Sequence, residues 1–338
     1  MQGAVLYGPG DVRFEERPAP AIIQPTDAVI RLSATCICGS DLWPYRGLQP
    51  TPEPTPMGHE YCGVVEEVGG AVMSVRPGQF VIGSFFASDN TCPHCHAGYQ
   101  TSCQRKEFVG GAQAPLLRVP LADGTLVATP EGPSDELIPS LLALSDVMGT
   151  GWFAADAANV KPGAIAVVVG DGAVGLLGVL SAKLMGAERI IAMSRHETRQ
   201  RLAREFGATD IVTERGDEGA ARIRDMTDGI GADSVLECVG TQESMMQAIR
   251  SIRPGGSVGY VGVPHGVDLD GEQLFFAHAH LHGGPAPVRR FLPELIEQAW
   301  DGKINPGKVF DLTLPLDQVA EGYRAMDQRR AIKTLLRP

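Results

Sequence analysis

Gly170, Gly172 and Gly175 form a G-x-G-x-x-G that directly follows the apolar run 165–169 and opens the apolar helical pattern 174–185. Alone, such a triplet says little; between a strand and a helix it has a mechanism. The first glycine permits a tight turn, the second lets backbone approach a pyrophosphate, and the third lets helix pack closely on strand. Unpaired N–H groups and the positive end of the helix then hold the phosphates. The second half of the chain is therefore expected to bind a dinucleotide.

The first half offers metal chemistry. Cys38-Gly39-Ser40-Asp41 and Gly58-His59-Glu60 supply a thiolate and an imidazole, a pair that suits zinc. A catalytic zinc keeps three protein ligands and leaves a fourth position open. The candidate third ligand is Asp146, just before the dinucleotide segment, where a carboxylate is expected to face the nicotinamide mouth. Thiolate, neutral imidazole and carboxylate sum to −2 against Zn²⁺, which limits the cost of partly burying the site. Taken singly, each residue has a blander reading: a lone Cys is usually a small buried hydrophobe. The chain has seven cysteines, an odd number, with Cys92, Cys95 and Cys103 clustered. Without an export signal, metal binding plus buried thiols is the stronger reading than a disulfide framework.

An NAD site places an acid about 20 residues past the glycines to bond the ribose hydroxyls. Here Ser194-Arg195-His196 follows the second strand pattern, 189–194, and Arg199 lies one turn later. An Arg clamps a 2′-phosphate with two parallel hydrogen bonds. Cations at a helix N-terminus oppose its dipole by about 0.3–1 kcal/mol each, which an anionic ligand offsets. The competing reading is a solvated basic face, partly compensated by Glu197. NADP(H) is expected over NAD(H).

The elements that must position these groups fall into two styles. Residues 1 to about 150 carry short strand-like runs, 28–34, 61–68, 79–85 and 116–119, broken by Gly and Pro; this predicts a β-rich domain. The proline-rich segment 49–56 reads as a surface loop. From about 151, strand-like 165–169, 189–194, 210–213, 233–238 and 257–263 alternate with helical 174–185, 196–206, 219–228 and 242–252. That alternation predicts an α/β, doubly wound parallel sheet. Residues 289–300 read as an amphipathic helix; Pro293 suits only a first turn, so the helix proper is expected to start near Leu292. The tail, 316–326 then 331–336, reads as helix then strand.

The chain's 338 residues suffice for two domains. Apolar residues at 43% and charged residues at 20% describe a globular chain, with no run long enough to span a bilayer. The net charge of −11 would repel a phosphate backbone, so nucleic acid is not an expected partner. The first residues show neither a basic n-region nor an apolar h-region, so a cytoplasmic location is expected.

Gly58-His59-Glu60 followed by Gly63-Val64-Val65-Glu66-Glu67-Val68-Gly69 resembles the signature of zinc-dependent, medium-chain alcohol dehydrogenases. Cys38 matches that family's thiolate ligand, His59 its histidine, and Asp146 its third ligand. The resemblance covers essentially the whole chain. It implies a GroES-like catalytic domain of residues 1–150 and 287–338 around a Rossmann domain of residues 151–286. It gives Glu60 the role of a transient or nearby ligand and Ser40 that of the hydroxyl passing the substrate proton. A relay His three residues after Ser40 is replaced by Trp43, so water and the cofactor ribose must finish the relay.

Cys92, Cys95 and Cys103 resemble the family's structural-zinc lobe, usually C-x2-C-x2-C-x7-C. Asp89 stands at the first ligand position, with His94 and His96 as alternatives. The resemblance further implies that Thr150 and Val174 touch the nicotinamide, that backbone at Val261–Val263 holds its carboxamide, and that Lys333 reaches the pyrophosphate. It implies a homodimer or homotetramer joined through the strand near 257–263. The expected activity is reversible hydride transfer between NADP(H) and an alcohol–aldehyde or alcohol–ketone pair. Trp43, with Phe85 or Trp152, is the expected apolar wall, and core packing of these aromatics is the competing reading. Two alternatives are a polyol or amino-alcohol dehydrogenase of the same superfamily and a non-catalytic NADP-binding redox sensor.

Overall fold

The structure, a computed structural model, describes residues 1–52 and 54–338. The chain divides into two compact units: Met1–Asp146 with Pro287–Pro338, and Val147–Ala286. The helix Val147–Ala157 belongs wholly to the second unit, so residues 147–150 fall on the other side of the expected boundary.

The first unit is built on a mixed, largely antiparallel sheet. Its central strand, Ala28–Cys36, pairs with Tyr61–Val68, Leu116–Val119 and the C-terminal strand Thr334–Arg337. Ala28, Ile30 and Leu32 alternate along one face and pack with Val65, Val81, Leu117 and Leu126 around the fully buried Tyr61. A second core joins Ile37 and Tyr45 to Val319, Tyr323 and Leu336, so the end of the chain closes over its beginning. The run expected over 79–85 is strand only at Phe80–Gly83. Residue 53 of the proline-rich segment lies outside the described residues, and Thr55–Pro56 pairs with Val5 and Leu6.

The late helix departs from expectation. It runs Val288–Trp300 with Pro293 inside, rather than starting near Leu292. Pro293 removes the N–H that would reach the Arg289 carbonyl. Val288, Phe291, Leu292, Leu295, Ile296 and Ala299 are all buried. That continuous apolar stripe spans both sides of the proline and holds the turn ahead of it.

The second unit is a six-stranded parallel sheet in the order Asp210–Val212, Arg189–Met193, Ile165–Val169, Ala232–Glu237, Ile252–Tyr260, His280–Gly283. The helices Ala173–Leu184, Glu197–Phe206, Gly216–Met226 and Gln242–Ser251 connect the first five strands. Strand order reverses at Ile165–Val169, which makes the carboxyl end of that strand the topological switch point where such sheets bind ligands. The strand near 257–263 is not the sheet edge. Ile252–Tyr260 is paired on both sides, because the helix Gly271–Ala277 leads into a further strand, His280–Gly283. No helix among the described residues is long and apolar enough to cross a membrane.

Candidate functional site

The chain leaves the strand Ala28–Cys36 and enters a single 3-10 turn, Gly39–Asp41, with Cys38 at its start. The Asp41 carboxylate accepts the Cys38 backbone N–H at 3.0 Å through Oδ2, which fixes the thiol's backbone. His59 is delivered by Gly58, whose φ of +92° suits glycine. A Cβ at residue 58 would lie 2.8 Å from the backbone N of Gln113. Asp146 follows Ser145, whose hydroxyl accepts the Tyr61 N–H at 3.2 Å and donates to the Leu142 carbonyl at 2.8 Å.

These three loops bring their ligand atoms together. Cys38 Sγ lies 3.6 Å and His59 Nε2 3.3 Å from Asp146 Oδ2. With one Glu60 oxygen, all four ligand atoms lie within 4.8 Å of one another, and all four residues are buried. Ligands about 2.0–2.3 Å from a tetrahedral zinc stand about 3.3–3.7 Å apart. The spacing therefore fits an ion bound by Cys38, His59 and Asp146. Burial pushes the Cys38 thiol up, and the Asp146 and Glu60 charges push it further. A cation removes that conflict. On the other side of the imidazole, Nδ1 stands 3.3 Å from Asp41 Oδ1, leaving Nε2 for the metal. Ser40 sits half-buried in the same turn.

The residues behind the cluster were not foreseen. Asp41 stood in the quoted motif but had no role. Gln113 donates to the Cys36 carbonyl at 3.1 Å and to Asp41 Oδ2 at 3.4 Å, and accepts from the Tyr323 hydroxyl at 3.1 Å. Only the spacing of Asp41, three residues after Cys38, was a signal, as the acceptor of a tight turn.

Lys333 is buried in an ion pair that the sequence did not suggest. Its ammonium is 1% exposed, donating to Glu60 Oε1 at 2.6 Å and to the Ile37 carbonyl at 3.2 Å. Both partners lie in the first unit. Burial lowers the lysine's pKa, but Cys36, Glu60 and Cys38 raise it well above its usual range, so it stays charged. The other Glu60 oxygen, Oε2, is buried with no partner among the described residues.

Aromatic rings flank the imidazole. The Phe85 ring centroid lies 6.0 Å from that of His59, and the half-exposed Phe108 ring lies 5.6 Å away. Phe85 was expected there; Phe108 was not.

The second cluster is Asp89, Cys92, Cys95 and Cys103. Cys92 Sγ and Cys95 Sγ are 3.5 Å apart, and Cys95 Sγ is 3.6 Å from Asp89 Oδ1. That spacing matches a closed four-ligand zinc site. His94 and His96 are exposed on the short helix Pro93–His96 and stand outside the cluster. Burial raises the Asp89 pKa, but the Thr91 and Cys92 N–H groups outweigh it and bring it down to about 2. Burial pushes Cys95 up to about 12, as expected of neighbouring thiols without a cation between them. All seven cysteines are unpaired thiols.

In the second unit, Gly170 turns the chain with φ +115°. Gly172 caps the twelve-residue helix Ala173–Leu184 without a side-chain hydrogen bond. A Cβ at Gly172 would meet nothing within 4 Å, so the loop faces open space there; one at Gly175 would collide with the Gly170 carbonyl. The N-terminal N–H groups of a helix beside open space suit a pyrophosphate. Ser194 Oγ donates to Asp171 Oδ2 at 2.7 Å. Arg199 Nη1 reaches Asp171 Oδ1 and the Asp171 carbonyl, each at 3.2 Å. Arg195 is exposed and donates to the Thr213 carbonyl at 2.9 Å. Asp171, inside the glycine motif, was missed in the sequence.

The Val261 N–H is bonded to the Glu237 carbonyl at 2.9 Å. Val263 is half-exposed. Thr150 is buried in the helix Val147–Ala157, and Val174 is half-buried in the first turn of Ala173–Leu184.

Known proteins share this architecture. Residues 24–131 match the alcohol dehydrogenase GroES-like domain and residues 173–298 the zinc-binding dehydrogenase domain. The chain is 37% identical to the "Probable zinc-binding alcohol dehydrogenase" of Mycobacterium tuberculosis, over all of this chain and 89% of that one. It is 29% identical to an NADP-dependent isopropanol dehydrogenase of Entamoeba histolytica, over all of this chain and 96% of that one. The solved alcohol dehydrogenase TADH of Thermus sp. ATN1 superposes with a TM-score of 0.91 at 30% identity, covering 100% and 99% of the two chains. The chain belongs to the zinc-binding medium-chain alcohol dehydrogenase family and is a zinc-dependent alcohol dehydrogenase.

Proposed function

We propose that the chain transfers hydride reversibly between NADP(H) and an alcohol–aldehyde or alcohol–ketone pair, with Cys38, His59 and Asp146 holding the catalytic zinc. The ligand-atom spacing of 3.3 and 3.6 Å around Asp146 Oδ2 carries this reading. When bound, zinc polarises the substrate oxygen and nicotinamide exchanges the hydride.

The chain's own residues supply the rest. Asp41 orients the His59 ring. Ser40, in the turn beside Cys38, takes the substrate's proton; Trp43 cannot relay it, so it leaves through water or the cofactor ribose. Phe85 and Phe108, beside His59, favour apolar carbonyl substrates. Asp89, Cys92, Cys95 and Cys103 hold a second, structural zinc. Gly170, Gly172 and Gly175 cradle the pyrophosphate, with Thr150, Val174 and the Val261–Val263 segment at the nicotinamide.

Relatives use either NAD or NADP, so the preference rests on this chain. Ser194 stands where an NAD site has its acid, and Arg195 and Arg199 supply the cations that suit a 2′-phosphate. A homo-oligomer joined through the edge strand His280–Gly283 in a cytoplasmic setting completes the reading; the unpaired thiols support the latter.

The test is oxidation of NADPH and of NADH with a panel of apolar aldehydes, apolar ketones and polyol-derived carbonyls. Turnover on apolar carbonyls with higher kcat/KM for NADPH is expected. A higher kcat/KM for NADH overturns the cofactor preference. Tight NADPH binding without turnover on the panel overturns the apolar-carbonyl assignment.

A further inference from the structure

Asp171 is the one acid inside the glycine motif, and it is bound to both residues that define the ribose end of the site. Ser194 follows the second strand of the sheet, Arg189–Met193, where the ribose-binding acid of an NAD site would stand. The Asp171 carboxylate lies 2.7 Å from Ser194 Oγ. A carboxylate is thus present at the ribose position after all, carried there by the glycine loop instead of the strand end. Its other oxygen pairs with Arg199 at 3.2 Å, and both side chains are largely buried, 14% and 13% exposed.

Two consequences follow from charge. The Arg199 charge is already balanced by Asp171 before any cofactor arrives, so a 2′-phosphate must compete with that carboxylate for it. The carboxylate also stands beside the place that phosphate would take, and like charges in a partly buried site repel strongly. With NADH the same carboxylate meets a ribose hydroxyl, which donates to it.

We propose that Asp171 is a cofactor-specificity residue that accepts the ribose hydroxyl of NAD(H) and restrains Arg199, narrowing the preference for NADP(H) and letting the enzyme use both. The proposal rests on the cofactor site given above, but not on which cofactor the unmodified chain prefers.

The experiment is a fluorescence titration of the full chain with NADPH and with NADH, without substrate, comparing the unmodified chain with Asp171→Asn. The expected result is roughly tenfold tighter NADPH and roughly tenfold weaker NADH. A Kd ratio that moves less than twofold, or equal weakening of both cofactors, overturns the proposal. If Asp171→Asn does not fold, Arg199→Gln decides: the proposal requires a loss confined to NADPH, and equal losses overturn it. A chain that binds NADH more tightly before any substitution refutes the NADP preference alone, because Asp171 is judged by the change in ratio.

Discussion

Asp41 Oδ1 stands 3.3 Å from Nδ1 of His59, on the opposite side of the ring from the nitrogen that faces Asp146. The ring is therefore oriented before any metal arrives. A group that orients a ligating histidine in this way supports metal affinity through the ligand. Both Asp41 oxygens accept, one facing His59 and one the Cys38 N–H. Asn at this position keeps one acceptor and turns an NH₂ toward a donor. Asp41→Asn is expected to weaken zinc about 10–100-fold, measured by competition with a chromophoric chelator. Unchanged affinity would remove Asp41 from the support of the site.

The Asp89 lobe gives a separate count. The purified chain is expected to carry two zinc ions, one in each cluster. Asp89→Ala removes one ligand and also leaves the Thr91 and Cys92 N–H groups unpartnered. Elemental analysis should fall by one zinc per chain while the Cys38 site keeps its own. Zinc content that does not change would exclude Asp89 as a ligand.

The legible parts of this molecule were those whose chemistry depends on residue type at short spacing. The glycine loop, the Cys92–Cys95 pair and the His59 motif needed only a few adjacent letters. The alternation of strands and helices after residue 160 was equally plain, because a sheet buried on both faces needs apolar runs. What the sequence hid depends on long-range partners. Asp171 looks like a loop acid until Ser194 and Arg199 are brought beside it. Lys333 gives no sign of a buried partner until Glu60, 273 residues earlier, is found against it. The helix Val147–Ala157 buries nearly every residue, so it lacks the polar face that marks an amphipathic helix. Pro293 misled because local propensity yields to a strong apolar stripe.

Glu60 and Lys333 are 0% and 1% exposed and 2.6 Å apart. Removing one member of such a pair strands the other charge away from water, at about 3–5 kcal/mol. Glu60→Gln and Lys333→Met are each expected to lower unfolding free energy by that order. The double variant should lose less than the sum, since no charge is stranded. Denaturant unfolding of the four chains measures the coupling, and strict additivity would mean that the pair is not energetically linked.

Asp27 ties stability to acid pH. It is fully buried, and its Oδ2 accepts from the Ile23 N–H at 3.1 Å, the Gln24 N–H at 2.8 Å and Arg118 Nε at 2.7 Å. Burial raises its pKa, but the Arg118 guanidinium and the two N–H groups outweigh burial and hold it below the usual range. The folded state therefore favours the ionised form. That stabilisation is fully present above the unfolded value, about 3.9, and is lost as pH falls through the lower folded value. Asp27→Asn gives up a charge-assisted hydrogen bond to Arg118, at about 1.5–3 kcal/mol near neutral pH. The gap between the variant and the unmodified chain should stay level from pH 7 to about 5 and then close as pH falls below about 4. Urea unfolding at a series of pH values measures it. A gap that stays constant down to pH 3 would show that the Asp27 charge contributes nothing to holding the fold.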